Sequence, residues 1–175
     1  MTDKEFFRKI ANGKDDFLQE FVDILKKGKF SFCVIGGLGV NAYAEPVVSL
    51  DLDVVIVSEK IDNLLLQLKK KFKLEKFANS INVARKGSAL RIQIQTDPRY
   101  QDFIKRAKVK NVLGYKLPVA AIEDIFQGKV WAATDETRRA SKRQKDMADI
   151  LRLIEAKLQL TETLPEGLKV RLNLR

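Results

Sequence analysis

Residues 49–57, SLDLDVVIV, set two carboxylates one residue apart in a run that is otherwise apolar and β-branched. A run of that kind reads as a strand with at least one buried face. Side chains alternate along a strand, so Asp51 and Asp53 share one face with Cα atoms about 7 Å apart, and Leu52 and Val54 take the other. Two like charges on a mostly apolar strand repel, and burying them without a counter-ion costs several kcal/mol. A divalent cation shared by both carboxylates removes that cost. The fold has to bury this strand and still leave one of its edges open to an ion.

The segment before it supplies a second constraint. KFSFCVI reads as a short buried strand that breaks at Gly36 and Gly37, after which LGVNAYA forms one or two helical turns. A Gly-Gly turn from strand to helix leaves backbone N–H groups free to cradle phosphate oxygens. In phosphoryl transfer an aspartate pair positions Mg ions that bridge nucleotide phosphates and neutralise developing charge. Gly-Gly and Asp-x-Asp are each common alone. In this order, with the 13 residues 38–50 between them, they form a far more specific arrangement.

Composition narrows the chemistry further. The chain has no histidine, which excludes His-dependent triads, imidazole acid–base steps and His-ligated metals. Its one cysteine, Cys33, lies in the apolar strand candidate, so neither a disulfide framework nor a Cys-rich zinc site is available. Any metal is then a hard cation held by oxygens, Mg2+ or Mn2+. A formal charge of +10 points to a polyanion or to nucleotide phosphates as partner. No apolar run approaches the roughly 18 residues of a membrane span, and MTDKEFFRKI is a charged amphipathic start without a signal-peptide core. The expectation is a cytoplasmic protein without a membrane partner.

With 175 residues the chain has room for one compact domain with a sizeable core. Helical spacing predicts helices over 14–28, with Phe17, Phe21, Ile24 and Leu25 inward, and over 60–72. INVARK and ALRIQIQTD flank Gly87-Ser88 as the arms of a two-residue hairpin, with Arg91, Gln93 and Gln95 on one face of the second arm. Residues 99–108 read as helix and 109–117 as one or two short strands around Gly114. Pro118 is expected to open a helix that runs through about Trp131. A last long helix spans about 137–158, with Met147, Ile150, Leu151 and Ile154 inward, and the tail after Pro165 is a short basic helix or a frayed end. This order predicts an α/β (α+β) fold, a mixed sheet flanked by helices, with a core over 1–118 and a helical C-terminal third over 119–175.

On these residues the chain resembles the nucleotidyltransferase superfamily, the fold of DNA polymerase beta. Within it the sequence looks most like the AbiEii-like group, which includes toxins of type IV toxin–antitoxin systems. The likeness covers residues 15–158 and is carried by VIGGLGVNAYA, SLDLDVVIV, LPVAAIEDIFQGKVWAA and RQKDMADILRL. It implies transfer of a nucleoside monophosphate from a nucleoside triphosphate to RNA, a protein or a small molecule, with Mg2+ or Mn2+ and release of pyrophosphate. An antitoxin partner is implied with it. By matching position, Asp51 and Asp53 would be catalytic and bind metal, and Gly36, Gly37, Ser49 and Lys145 would bind nucleotide phosphates. The helical region matches a recurring lysine, Lys129, and a Lys-Asp-x-x-Asp element, Lys145, Asp146 and Asp149. A solvated lysine at Lys145, a surface ion pair at Asp149 and a structural role for Lys129 are the plain alternatives.

Two positions depart from the pattern. Active members usually carry a third carboxylate on a neighbouring strand, and the matching residue is Gln93, which can offer a carbonyl oxygen to a metal but cannot act as a base. Asp97 has the same parity, yet it lies four residues and about 13 Å farther along. Val47 stands where related sequences tend to carry arginine. The alternative function is therefore a catalytically degenerate member that binds nucleotide, nucleic acid or a partner protein. A P-loop is excluded because no Gly-Lys-Ser/Thr follows the glycines, and the glycine pattern does not suit a dinucleotide fold.

Overall fold

The computed structural model describes residues 1–11 and 16–174. Helix α1 (Asp3–Ile10) starts at a reciprocal cap between Thr2 and Glu5, and α2 (Phe17–Lys27) starts at Asp16, whose carboxylate accepts from the Gln19 N–H. Residues 14 and 15, the first two of the helix expected over 14–28, lie outside the described residues. The chain then runs through β1 (Phe32–Ile35), the short helix α3 (Gly36–Val40), β2 (Asp51–Ile56) and α4 (Ile61–Leu68). Three strands follow, β3 (Lys73–Lys76), β4 (Ser80–Ala84) and β5 (Arg91–Gln95), and then the single turn α5 (Phe103–Arg106). The hairpin β6 (Lys108–Val112) and β7 (Tyr115–Val119) leads into α6 (Ile122–Thr134), α7 (Ala140–Ala156) and α8 (Glu166–Arg171).

The strands form one mixed sheet in the order β3-β4-β5-β2-β1-β7-β6. β2 runs antiparallel to β1 and parallel to β5, and β1 runs parallel to β7. Leu52, Val54 and Ile56 of β2 and Ile92 and Ile94 of β5 are fully buried on one face. The opposite face holds Asp51, Asp53, Arg91 and Gln93, and α3, α6 and α7 pack together beside β2. The strand carrying the aspartates is thus central in the sheet, and only one end of its polar face is open.

Several sequence expectations are corrected here. Pro118 lies inside β7, and the helix begins four residues later at Ile122. β7 lies one strand in from the edge strand β6, but it pairs with β1 only at Val119, so Pro118 has no register partner on its β1 side. The β4–β5 turn is longer than two residues, because Ala84 pairs with Arg91 and the six residues between them form the loop, with Gly87 at φ +84°. Residues 99–108 split into a 3-10 turn, Pro98–Tyr100, the single turn α5, and the start of β6. β3 (KLEK) went unpredicted, being an exposed edge strand without an apolar alternation. The inward stripe of α7 includes Asp146 and Leu153, while Met147 and Leu151 are only half-buried.

Candidate active site

The parallel pairing of β2 with β5 brings four polar side chains into a square. Asp51 stands beside Arg91 and Asp53 beside Gln93, and Asn82 of β4 extends the second row beyond Gln93. Among the described residues no third Asp, Glu, His or Cys joins the two aspartates in a cluster able to hold a metal. Gln93 is thus the neighbour of Asp53 in the position that alignment along the strands assigns it. Asp97 takes no part. It caps the 3-10 turn through the Arg99 N–H and is bound by the Arg99 guanidinium, whose hydrogen bonds hold its carboxyl below the usual range.

Gly36 fits the turn for two reasons. Its φ of +66° suits a residue without a side chain, and a Cβ there would lie 2.0 Å from Asp53 Oδ2. The backbone of the turn therefore rests directly on the Asp53 carboxylate. Gly37 is less constrained, since a Cβ would meet the Ser49 Oγ at an ordinary 3.6 Å. Ser49 Oγ accepts from the Asp51 N–H at 3.3 Å and so shapes the entry to β2. Burial pushes the Asp53 carboxyl up to about 6, and Asp51 adds to the rise, against the pull of Lys129, Arg138 and Lys142. No hydrogen bond is among the causes acting on it.

A cleft of about 270 Å³ opens over this square, lined by Gly37, Ser49, both aspartates, Gln93 and side chains of α6 and α7. Six cationic residues, Arg91, Lys129, Arg138, Lys142, Lys145 and Arg152, face four acidic ones, Asp51, Asp53, Asp146 and Asp149. Most of these charges are paired. Lys129, only 12% exposed at its side chain, donates to Asp146 Oδ1 at 2.9 Å and lies 2.7 Å from Asp149 Oδ2. The other carboxylate oxygens take arginines: Arg138 on Asp146 at 2.8 Å and Arg152 on Asp149 at 2.7 Å. Burial pulls the Lys129 ammonium down, but Asp149 and Asp146 outweigh it and the net shift is upward. Lys129 and Asp149 thus bind α6 to α7 inside the molecule, in place of a surface pair.

The clamp reaches the mouth of the cleft. Arg152 also donates to Asn41 Oδ1 at 2.8 Å and to the Glu45 carbonyl, and Asn41 holds Val47 through both its amide atoms, at 2.8 and 3.0 Å. Val47 and Val48 are exposed at the rim. Lys145 is an exposed residue that lines the cleft from α7. The sequence reading missed Arg91, Arg138, Lys142 and Arg152. Arg91 alone carried a legible signal, since it precedes Gln93 by the same two residues that separate Asp51 from Asp53.

The donor chemistry suits a hard cation. Both carboxylates and the Gln93 side chain line one cleft, and an ion there would relieve the unfavourable burial of ionised Asp53.

The sheet order, the Gly-Gly turn and the paired aspartates define a nucleotidyltransferase fold, a mixed sheet flanked by helices. Solved structures bear this out. One similar structure is the antibiotic-resistance factor ANT(2'')-Ia in complex with adenylyl-2''-tobramycin, with a TM-score of 0.62, 12% identity, and 89% of this chain and 96% of that chain covered. Another is the lincosamide antibiotic adenylyltransferase LnuA with lincomycin bound, with a TM-score of 0.56, 12% identity, and 81% and 99% covered. An antigenic nucleotidyltransferase-like protein from Paracoccidioides brasiliensis gives a TM-score of 0.59 at 16% identity, with 99% and 92% covered. At such identities the likeness is one of fold. No protein-family model matches the sequence, and no curated protein matches it. Among the described residues no helix is long and apolar enough to cross a membrane.

Proposed function

We propose that the chain binds a nucleoside triphosphate in this cleft and transfers its nucleoside monophosphate to an acceptor hydroxyl, with pyrophosphate leaving. The observation that carries the reading is the stacking of Gly36 on Asp53 beneath a cation-lined cleft. Asp51 and Asp53 would hold Mg2+ or Mn2+, with Gln93 offering a neutral oxygen. Bound there, the ion would neutralise charge that builds on the transferred phosphate. The turn at Gly36 and Gly37, with Ser49, borders the place of the triphosphate, and Lys142 and Lys145 supply positive charge from α7. Val47 and Val48 give the rim an apolar surface for a base. The net positive charge supports a negatively charged acceptor such as RNA. An AbiEii-like toxin with an antitoxin partner is the narrower form of this reading, and it rests on the sequence resemblance alone.

A second reading is favoured by two specific observations. Gln93 cannot take a proton from the acceptor, and Asp51 is already paired with Arg91. A chain of this kind can bind nucleotide without transferring it. Incubation with each α-labelled nucleoside triphosphate, Mg2+ or Mn2+, and bulk RNA separates the two readings. Label on RNA or on the protein with wild type, and none with Asp51→Asn/Asp53→Asn, supports transfer. Binding without label supports the second reading.

A further inference from the structure

Of the four side chains in the square on β2 and β5, two are carboxylates and one of these is already engaged. Arg91 Nε and Nη2 both approach Asp51 Oδ1, at 2.9 and 2.8 Å. A guanidinium carries five N–H donors in one plane, so this contact leaves three for a ligand. The Arg91 side chain is 64% exposed and lines the cleft together with Lys142 and Lys145. It is open to a ligand, unlike Lys129, whose two carboxylates enclose it. The β-ladder fixes where the guanidinium is held, because Asp51 and Arg91 are register partners on parallel strands. A cation bound across both aspartates meets repulsion from Arg91 at the shared carboxylate, whereas a phosphate meets attraction.

We propose that Arg91 is a phosphate-binding residue, positioned by Asp51, whose fixed charge lets the cleft bind a nucleoside triphosphate without a divalent cation. The proposal rests on the nucleotide reading above and goes beyond it: the ion then serves transfer, and binding depends on Arg91 with Lys142 and Lys145. Asp51 acts here through the guanidinium it orients. Because Gln93 adds no negative charge, Asp53 is, among the described residues, the one unpaired carboxylate lining the cleft; Arg91 already balances Asp51, and Lys142 and Lys145 offset Asp53.

The test is calorimetric titration with ATP, GTP, CTP, UTP and inorganic tripolyphosphate, each in EDTA and again in Mg2+. Wild type is expected to bind at least one nucleotide in EDTA within about fivefold of its affinity in Mg2+. Arg91→Gln is expected to lose about tenfold in EDTA, for tripolyphosphate as well, with Arg91→Lys retaining part of the affinity. Wild-type binding that requires Mg2+, or equal affinities of wild type and Arg91→Gln in EDTA, would overturn the role of Arg91 and leave the nucleotide reading standing. No nucleotide binding in either buffer would overturn both. The exposed position of Arg91 keeps the variants folded, which their thermal unfolding reports, and Arg91→Lys preserves the charge if Arg91→Gln does not fold.

Discussion

Asp53→Asn should stabilise the protein while abolishing the proposed transfer, and the size of the gain should depend on pH. Burial raises the folded-state carboxyl from its ordinary 3.8 to about 6. A carboxyl raised in this way favours the folded state only while protonated. Its contribution is fully present below about pH 4 and is lost as pH rises through about 6. Two pH units at 1.36 kcal/mol each give a penalty of about 3 kcal/mol on the wild type at about pH 8. Asparagine is near in shape and does not ionise, so the variant escapes that penalty. Urea unfolding of both proteins in EDTA, from about pH 4 to about pH 8, should show the variant gaining up to about 3 kcal/mol at the upper end. The gap should close toward pH 4. The other titrating groups are common to the two proteins, and those that do not interact with Asp53 cancel in the difference. A gap that does not change with pH, or a variant less stable at about pH 8, would refute the argument that Asp53 is held ionised at a cost.

Four further outcomes follow from the same geometry. Gly36→Ala should lower stability by about 1–3 kcal/mol, since it combines a left-handed backbone with a methyl group driven onto Asp53, and should cut nucleotide transfer at least tenfold. Gly37→Ala, with ordinary contacts, should stay within about 0.5 kcal/mol of wild type in urea unfolding. Lys129→Met leaves Asp146 and Asp149 with one arginine each, so the usual cost of about 3–5 kcal/mol for breaking a buried pair should fall to about 2–3. Thermal unfolding should then drop by roughly 5–10 °C, and a drop under about 2 °C would show that the clamp does not secure α6 to α7. Gln93→Asp places a third carboxylate next to Asp53 and should raise the affinity for Mn2+ alone about tenfold, read by the loss of free Mn2+ signal in electron paramagnetic resonance. Unchanged affinity would place the ion away from Gln93.

The heart of the site was legible because its logic is local. The period of two along a strand placed Asp51 with Asp53, and the same period on β5 put Gln93 on a polar face, while it was the family resemblance that matched Gln93 to the third position. The glycine turn was equally local, though sequence could not distinguish Gly36, which rests on Asp53, from Gly37, which does not. What stayed hidden depends on pairings distant in sequence. Arg91 meets Asp51 only because β2 and β5 run parallel in register, and 40 residues separate the two. The inward stripe of α7 was right at Ile150 and Ile154 but incomplete for a related reason: hydrophobic periodicity cannot mark a buried aspartate, and Asp146 is buried where Lys129 of α6 faces it. Pro118 shows the limit of a local rule. Proline at the first turn of a helix and proline on an edge hairpin leave the same trace in sequence.

The most direct test of the account is to record backbone amide shifts of the isotopically labelled protein while a nucleoside triphosphate is added. The account expects the largest changes at Gly36 and Gly37, over 49–53, at Arg91 and Gln93, and in the first turns of α7 around Lys142 and Lys145. Changes confined to other surfaces, or none at saturating nucleotide, would contradict the claim that this cleft is where the chain binds phosphates.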